Sequence, residues 1–303
     1  MIFIWFGPKA FWGHSHVGAN LSFSTDSGKT VFTKQVTDII RSKANFRIKQ
    51  LVKLRESARR RRELGLFTIE GLREIEVGLS SGLSIVNAFF CPAYFRERGE
   101  ESLMRQIGAA GIETFELGKD VFSKCAYREN PEGIILLANT LALELDDSAL
   151  SESSLILVLD QVEKPGNLGA ILRTASAFGV DYLLLSDPSV DVHNPNVTRA
   201  SRGLSLSFPL ALGSKEEILS VLRGHGFRIL ATSAHAGTIL WEVSFLGRTA
   251  AVMGSESKGL GSFWRGNCDE TLIVPMSGEG DSLNVSAAAA CILGEAGRQR
   301  REK

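Results

Sequence analysis

The stretch that decides the fold reads LIVPMSGEGDSLNVSAAAACILG and spans residues 272–294. It begins as a short apolar strand that runs into Pro275, a residue that can follow a strand but does not fit inside its hydrogen-bonded ladder. A glycine-rich polar loop follows, and Ser282 or Asn284 then caps a helix of small residues over 287–294. The first N–H groups of such a helix have no partner within the helix, so they are available to a ligand. An ordinary strand–loop–helix unit has the same pattern, and the rest of the sequence must decide between the two interpretations.

Two earlier segments in the same half of the chain favour a functional site. The first reads NLGAILRTASAFG over residues 167–179, and the second reads VMGSESKGL over residues 252–260. Together with SLNVS at 282–286, and in this order, they resemble the three motifs of the SpoU (TrmH) family, which belongs to the SPOUT class of RNA methyltransferases. The resemblance covers about residues 151–298, which is half of the chain.

The strand patterns agree with the α/β architecture that this resemblance implies. Residues 155–160 form a fully apolar run, as a strand of a parallel sheet buried on both faces requires. The resemblance implies a C-terminal SPOUT-type α/β domain with a parallel sheet and a deep trefoil knot, preceded by a small L30e-like α/β/α domain. We therefore expect an irregular leader, an L30e-like RNA substrate-binding domain, a linker and a SpoU methyltransferase catalytic domain, over residues 1–35, 36–140, 141–154 and 155–303.

The same resemblance implies an activity. Members of the family use S-adenosylmethionine to methylate a ribose 2′-hydroxyl in RNA, and they act as homodimers in which each partner's motifs lie near the other's site. Ribosomal RNA is favoured as the substrate, because the additional L30e-like domain is more common on relatives that act on it. A transfer RNA methyltransferase is one alternative, and a non-catalytic RNA-binding factor of ribosome assembly with the same fold is another.

Two groups of residues carry this expectation. Residues at positions that match the family's methyl-transfer site are Asn167, Arg173, Glu256, Ser282 and Asn284. Residues that match its cofactor-binding positions are Thr232, Gly254, Val274, Met276 and Leu283. The hydroxyl must lose its proton as it attacks, and an arginine can hold the neighbouring phosphate bidentately and offset the developing negative charge. Whether Arg173 also accepts the proton stays open, because a guanidinium normally keeps its charge.

Several of these residues also have a purely structural interpretation. Gly169 and Gly179 can serve helix packing and a helix C-cap. Arg173 can pair with a surface carboxylate, and Asn284 can be a simple N-cap. Taken singly these interpretations are about as good as the functional ones, whereas the retained order of three motifs favours the functional ones jointly.

Composition and the remaining motifs exclude several other classes of protein. The formal net charge is zero, so total charge predicts no polyanionic partner. The four cysteines are far apart and form no C-x-x-C pair, which favours a reduced cytoplasmic location over a disulfide framework. No apolar run approaches the roughly 20 residues of a membrane span. The sequence also lacks a spaced metal-ligand cluster and a G-x-G-x-x-G turn after a strand, so we expect neither a metal nor a dinucleotide site.

The first half of the chain offers weaker signals. Residues 27–30 resemble a phosphate-binding loop, but Phe23 stands where that loop needs a glycine. A dense basic stretch over 41–62 includes four consecutive arginines, 59–62, and is either a solvated helix face or a surface for RNA phosphates. In the loop 126–133 many relatives carry Pro-Gln-Gly, and Glu132 departs from that pattern, so we assign this loop no chemistry.

Overall fold

The fold is taken from a computed structural model. It describes residues 39–96, 98–145, 150–234, 236–255, 257–278 and 282–301, together with the backbone of 21–26 and 29–34. Within these ranges no helix combines the length and the apolar character needed to cross a bilayer.

The first half of the chain contains a hairpin and a four-stranded sheet with its helices. The hairpin consists of β1 (Leu21–Asp26) and β2 (Lys29–Lys34), which the irregular sequence of the leader did not predict; residues 1–20 lie outside the described part. The elements that follow are α1 (Phe46–Glu56), α2 (Ala58–Leu64), β3 (Leu66–Glu70), α3 (Leu72–Ser80), β4 (Ile85–Phe90), α4 (Arg98–Ala109), β5 (Glu113–Glu116), α5 (Lys119–Cys125) and β6 (Ile134–Asn139). The sheet has the order β3-β6-β4-β5, and only the β4–β5 pair is parallel.

The second half is a seven-stranded parallel sheet with helices on both faces. Its elements are β7 (Leu155–Asp160), α6 (Pro165–Ala177), β8 (Tyr182–Ser186), α7 (Pro195–Ala200), β9 (Leu210–Gly213), α8 (Lys215–Gly224), β10 (Arg228–Thr232), β11 (Thr238–Ile239), β12 (Thr249–Met253), α9 (Ser262–Asn267), β13 (Glu270–Ile273) and α10 (Val285–Arg301). The strand order is β11-β13-β10-β12-β7-β8-β9, and every pair is parallel. The predicted parallel α/β sheet is confirmed.

The interior strand β7 shows why this sheet is stable. All six of its residues are buried, and successive side chains point to opposite faces of the sheet. Leu155, Leu157 and Leu159 pack into the cluster that includes α6 and α10. Ile156 and Val158 pack into the cluster that includes α8 and Trp264 of α9. A strand buried on both faces must be apolar at every position, which is what the sequence shows.

The two sheets are joined by buried polar and apolar contacts. Arg61 of α2 is buried, and its Nε donates to Oδ2 of Asp191 at 2.7 Å. Leu206, which follows α7, is part of the core cluster that otherwise belongs to the four-stranded sheet. The segments 141–145 and 150–154 contain no helix or strand, and the backbone N–H of Leu141 donates to Nε2 of His193 at 3.0 Å.

Some predicted boundaries are wrong. Asparagine is a favoured N-cap residue, so the sequence predicts that Asn167 caps the helix that follows β7. Helix α6 instead begins at Pro165 with Lys164 as its N-cap, so Asn167 lies in the first turn. The last helix begins at Val285 and continues to Arg301, well beyond Gly294. Strand β13 spans Glu270–Ile273, so it begins earlier than Leu272 and ends before Pro275.

Candidate active site

One cleft lies at the carboxyl ends of three neighbouring strands, β10, β12 and β13. It has a volume of about 530 Å³. The residues after these strands form its wall. Ligands of open α/β sheets bind beyond the carboxyl ends of the strands, so a site is expected at this place. All five predicted cofactor-binding residues line this cleft, together with one residue of the predicted methyl-transfer set: Thr232, Gly254, Val274, Met276, Leu283 and Ser282.

The loop after β12 is folded tightly against itself. Ser255 and Gly259 form an isolated antiparallel bridge, and the N–H of Gly259 donates to the carbonyl of Ser255 at 3.0 Å. A Cβ on Gly254 would lie 2.2 Å from the carbonyl carbon of Gly259, so no larger residue fits there. The close approach leaves main-chain groups, in place of a side chain, on the wall of the cleft.

Helix α10 supplies the opposite side of the cleft. Its first residue Val285 and its residues Ala288 and Ile292 line the space, and this stripe follows one face of the helix. Met276 and Leu283 are 43% and 41% exposed, which is unusual for large apolar side chains. Apolar side chains at a cleft mouth are typical of a surface that a ligand or partner covers.

Two predicted polar residues meet at the beginning of α10. Asn284 is the N-cap of this helix, since its Oδ1 accepts from the backbone N–H of Ser286 at 2.8 Å. Its Nδ2 also donates to Oδ1 of Asn167 at 3.3 Å, although 117 positions separate the two residues. Asn284 is therefore both a helix cap and a contact between two motifs, so the structural interpretation does not exclude the functional one.

The remaining two residues of the methyl-transfer set have different positions. Arg173 is exposed on α6, six residues beyond Asn167 and roughly 9 Å farther along the helix axis. It does not line the cleft, and it makes no ion pair with a carboxylate in the portion of the chain that the structure describes. Glu256 lies outside the described residues, as does part of the loop between Gly278 and Ser282.

The two glycines of the first motif have the structural roles that the sequence offered. A Cβ on Gly169 would lie 2.4 Å from Cβ of Ala200, so this glycine lets α6 pack closely against α7. Gly179 has a φ of +72° and follows the last turn of α6, as a helix C-cap requires. Both glycines thus set the position of the helix that carries Asn167 and Arg173.

Sequence reasoning missed two cations at the cleft, Lys258 and Arg265, both of which line it. Lys258 lies within the second motif, so its place in the motif was an available signal, whereas Arg265 on α9 carries no such signal. Nearby, the Ser257 hydroxyl donates to Oε1 of Glu163 at 3.0 Å and links the second motif to the loop after β7. A glycine at this position could not make this hydrogen bond.

The four consecutive arginines do not form one surface. Arg59 and Arg60 both pair with Glu63, at 2.6 Å and 2.7 Å. Arg61 is buried against Asp191, with 3% of its side chain exposed. Of the four, only Arg62 is exposed without an ion pair in the described part of the chain. An RNA-phosphate surface made of all four arginines is therefore not supported.

The loop 126–133 has a structural role. Oε2 of Glu132 accepts from the backbone N–H of Leu72 at 2.8 Å and so caps the beginning of α3. Arg128 lies between Glu74 and Glu132, at 2.9 Å and 3.2 Å. Burial raises the pKa of Glu70, although the N–H groups of Tyr127 and Arg128 oppose this by donating to its carboxylate. The departure at Glu132 thus stabilises the fold of the first domain.

Comparisons with known proteins agree with this geometry. The SpoU rRNA methylase family matches residues 154–294, and the MRM3-like substrate binding domain matches residues 45–136. An uncharacterised tRNA/rRNA methyltransferase of Synechocystis is 32% identical over 86% of this chain and 94% of its own length. A 23S rRNA (uridine(2479)-2′-O)-methyltransferase of Streptomyces viridochromogenes is 28% identical over 84% of this chain and 91% of its own length.

Solved structures show the same similarity. An RNA 2′-O ribose methyltransferase superimposes with a TM-score of 0.77 at 36% identity, over 87% of this chain and all of its own. The SpoU methyltransferase AviRb of Streptomyces viridochromogenes, in complex with the cofactor AdoMet, gives a TM-score of 0.77 at 27% identity, over 86% of this chain and all of its own. Similarity over nearly the full length, in sequence and in fold, establishes that the chain belongs to the SpoU rRNA methylase family.

Proposed function

We propose that this protein transfers a methyl group from S-adenosylmethionine to a ribose 2′-hydroxyl of ribosomal RNA. The observation that carries the proposal is the convergence of three chain segments on one cleft, with Gly254, Val274 and Leu283 all on its wall. These segments are the loops after β12 and β13 and the beginning of α10, and they contain two of the three motifs.

The cleft has the properties that the donor needs. Its volume lies within the range of about 300–1,000 Å³ that is usual for small-molecule pockets. The space that a Cβ on Gly254 would fill is occupied by main chain, which offers N–H and C=O groups to an adenosine. Thr232, Gly254, Val274, Met276 and Leu283 would hold S-adenosylmethionine there. When bound, this cofactor supplies an electrophilic methyl group on a positively charged sulfur.

The chain's own residues would then position the acceptor and manage its charge. Asn167, Ser282 and Asn284 offer hydrogen-bonding groups that can orient a hydroxyl, and two of them already contact each other. Arg173 would hold the phosphate next to the reacting ribose, and its positive charge would lower the cost of the alkoxide that forms as the proton leaves. Glu256 completes this set by its position in the second motif.

The position of Arg173 outside the cleft supports a homodimer. An exposed guanidinium on α6 does not line its own cleft, so it would act at the cleft of a second subunit. A trefoil knot formed by the motif loops is supported by the strand order. Strand β13 pairs with β10 on the side away from β12, and the following helix α10 packs back against α6. We place an L30e-like, RNA-holding domain at residues 36–140 and the protein in the cytoplasm, where four free cysteines are expected.

The choice of ribosomal RNA rests on the relatives. One of them is named a 23S rRNA 2′-O-methyltransferase, and it matches along 84% of this chain, including the first domain. That domain matches a substrate binding domain, which favours a large RNA held at a second point over a small one held at the cleft alone.

Two measurements test the proposal. Calorimetry should detect S-adenosylmethionine binding, and a tritium-transfer assay should show label in the 2′-O-methyl nucleosides of ribosomal RNA. Label in transfer RNA alone would show that the protein is a transfer RNA methyltransferase, which is the first alternative. RNA binding without donor binding at millimolar ligand would favour an assembly factor and contradict the enzyme assignment.

A further inference from the structure

Two cations, Lys258 and Arg265, line the cleft that we propose for the donor. Both residues are exposed, and neither forms an ion pair in the part of the chain that the structure describes. No aspartate or glutamate is among the described residues on the cleft wall. A concave wall with unpaired positive charge favours a ligand that brings an anionic group into it.

The two cations belong to different elements of the wall. Lys258 lies in the tight turn after β12, whose main chain packs against Gly254. Arg265 is on α9, which packs against β10, and the preceding residue Trp264 is completely buried in the core cluster that includes α8. The buried indole fixes α9 on the sheet, because side chains in a close-packed core have little freedom to move. The guanidinium of Arg265 therefore projects into the cleft from a rigid element, and the ammonium of Lys258 from a loop.

Arg265 also approaches the cleft from the face of the sheet opposite to the methyl-transfer residues. Asn167 and Asn284 lie at the beginnings of α6 and α10, whose apolar faces pack in the other core cluster. The sulfur of S-adenosylmethionine has three diverging substituents: the adenosyl group, the methyl group and the amino-acid tail. With adenosine along Gly254 and Val274 and the methyl group towards the two asparagines, the tail leaves towards the third side, where α9 lies.

We propose that Arg265 binds the carboxylate of this tail and so selects the donor by its amino-acid end. This inference rests on the proposed function, since it takes the donor to be S-adenosylmethionine, and it assigns a residue to the part of the donor that the adenosine contacts do not explain. The carboxylate is the one negatively charged group of the donor. The planar guanidinium matches a carboxylate with two parallel hydrogen bonds, whereas a lysine offers only a point charge.

The test measures a ratio of two affinities in the full-length protein. Titration calorimetry compares S-adenosylmethionine with decarboxylated S-adenosylmethionine, which keeps the adenosine, the sulfonium and the amine. We expect the wild type to prefer the first ligand by about 10- to 100-fold, which is the usual contribution of hydrogen bonds between charged groups. Arg265→Ala should lose this preference by binding S-adenosylmethionine more weakly, with little change for the decarboxylated ligand. Arg265→Lys should keep part of the preference, because it keeps the charge without the paired hydrogen bonds.

Lys258→Ala is the matched control, because it removes the other cation of the same cleft. It should leave the ratio of affinities within about twofold of wild type, since a charge that makes no direct contact is screened by water and salt. The inference is overturned if the wild type binds both ligands equally, if Arg265→Ala keeps the wild-type ratio, or if Lys258→Ala loses the preference instead. A weaker affinity of Arg265→Ala for ribosomal RNA with an unchanged ratio would place the guanidinium on a phosphate and overturn it as well. Equal binding of the two ligands leaves the proposed function intact, whereas binding of neither contradicts both.

Discussion

Arg61 differs from the three arginines beside it, although the sequence gives no sign of the difference. Its guanidinium donates to Asp191 and to main-chain carbonyls at the end of α1, and it is almost completely buried. The partner carboxylate lies 130 positions away and is also mostly buried. No local pattern could have identified this pair, because the burial of Arg61 depends on how the two sheets pack together.

Arg61→Ala and Arg62→Ala should therefore have very different effects on stability. Removing Arg61 leaves the carboxylate of Asp191 buried without its partner, so we expect the free energy of unfolding to fall by about 3–5 kcal/mol. Removing the exposed Arg62 should change it by less than about 0.5 kcal/mol. Urea denaturation of the two variants gives the comparison, and equal stabilities would show that the pair contributes nothing.

Arg173 is an exposed residue whose removal should affect chemistry and not folding. We expect Arg173→Ala to reduce methyl transfer by about 100-fold or more, since a group that stabilises charge in the transition state typically contributes this much. Calorimetric binding of S-adenosylmethionine and the thermal midpoint should remain at wild-type values, because Arg173 is exposed and its proposed partner is the RNA phosphate and not the donor. Arg62→Ala serves as the control for the loss of one exposed arginine. Unchanged turnover in Arg173→Ala would remove this residue from the mechanism.

At the scale of elements, the loop after β12 is the part of the site with the least space for change. We expect Gly254→Ala to weaken donor binding by about tenfold or more, because the added methyl group would collide with the main chain at Gly259 and force the loop open. Gly266→Ala is the control, since it lies on α9 and a Cβ there meets no atom within 4 Å. Titration calorimetry on both variants distinguishes them, and wild-type affinity in Gly254→Ala would mean that the loop does not shape the donor site.

The elements also show which features a sequence can predict. Strand β7 was predicted with its observed boundaries, since it is an apolar run that ends at a polar residue. The five residues predicted to bind the cofactor all line the cleft, and two of them, Gly254 and Leu283, lie within motifs that are contiguous in the sequence. Strand β11 has only two residues and β9 has four, so neither carries a hydrophobic period that can be recognised.

The boundary of α6 was missed for a different physical reason. Asn167 is a good N-cap residue, but Pro165 has a fixed φ that suits the first turn of a helix and lacks the N–H that would be unpaired there. The N-cap is therefore Lys164, three residues before Asn167, and the helix begins at Pro165. This shift turns Asn167 from a cap into a residue of the first turn, where its amide can reach Asn284.

At the scale of the whole molecule, His193 lies at the junction of the two sheets. Its Nε2 accepts from Leu141, and its ring lies 4.8 Å from that of Phe67 in β3. Burial lowers the pKa of His193 below its usual 6.5; the negative charge of Asp191 opposes this shift and the positive charge of Arg61 adds to it. The neutral ring is therefore the form that the junction requires, because a protonated Nε2 could not accept the hydrogen bond.

This arrangement predicts a loss of stability in mild acid. Below the usual pKa of 6.5 the unfolded chain takes up a proton on His193 that the folded chain does not, so the free energy of unfolding decreases as the pH falls. The decrease should approach about 1.4 kcal/mol per pH unit until the folded-state pKa is reached, and it should be absent above the usual value. His193→Gln keeps an acceptor but does not titrate, so urea denaturation at about pH 5 and about pH 7.5 should show a smaller difference for it. Equal differences in the two proteins would contradict the prediction.

The contact between Gly203 and Val77 has a consequence for how a substrate is chosen. A Cβ on Gly203 would lie 3.0 Å from Cβ of Val77, so main chain from one sheet unit touches the stem of a branched side chain in the other. Neither atom can move away by rotation about a side-chain bond, so this contact resists a change in how the two sheet units pack. We therefore expect an RNA that contacts both units to be selected by the distance between its two contact points. Inserting a few base pairs between the part of the RNA held by the first domain and the target ribose should abolish methylation while leaving both contact sequences intact.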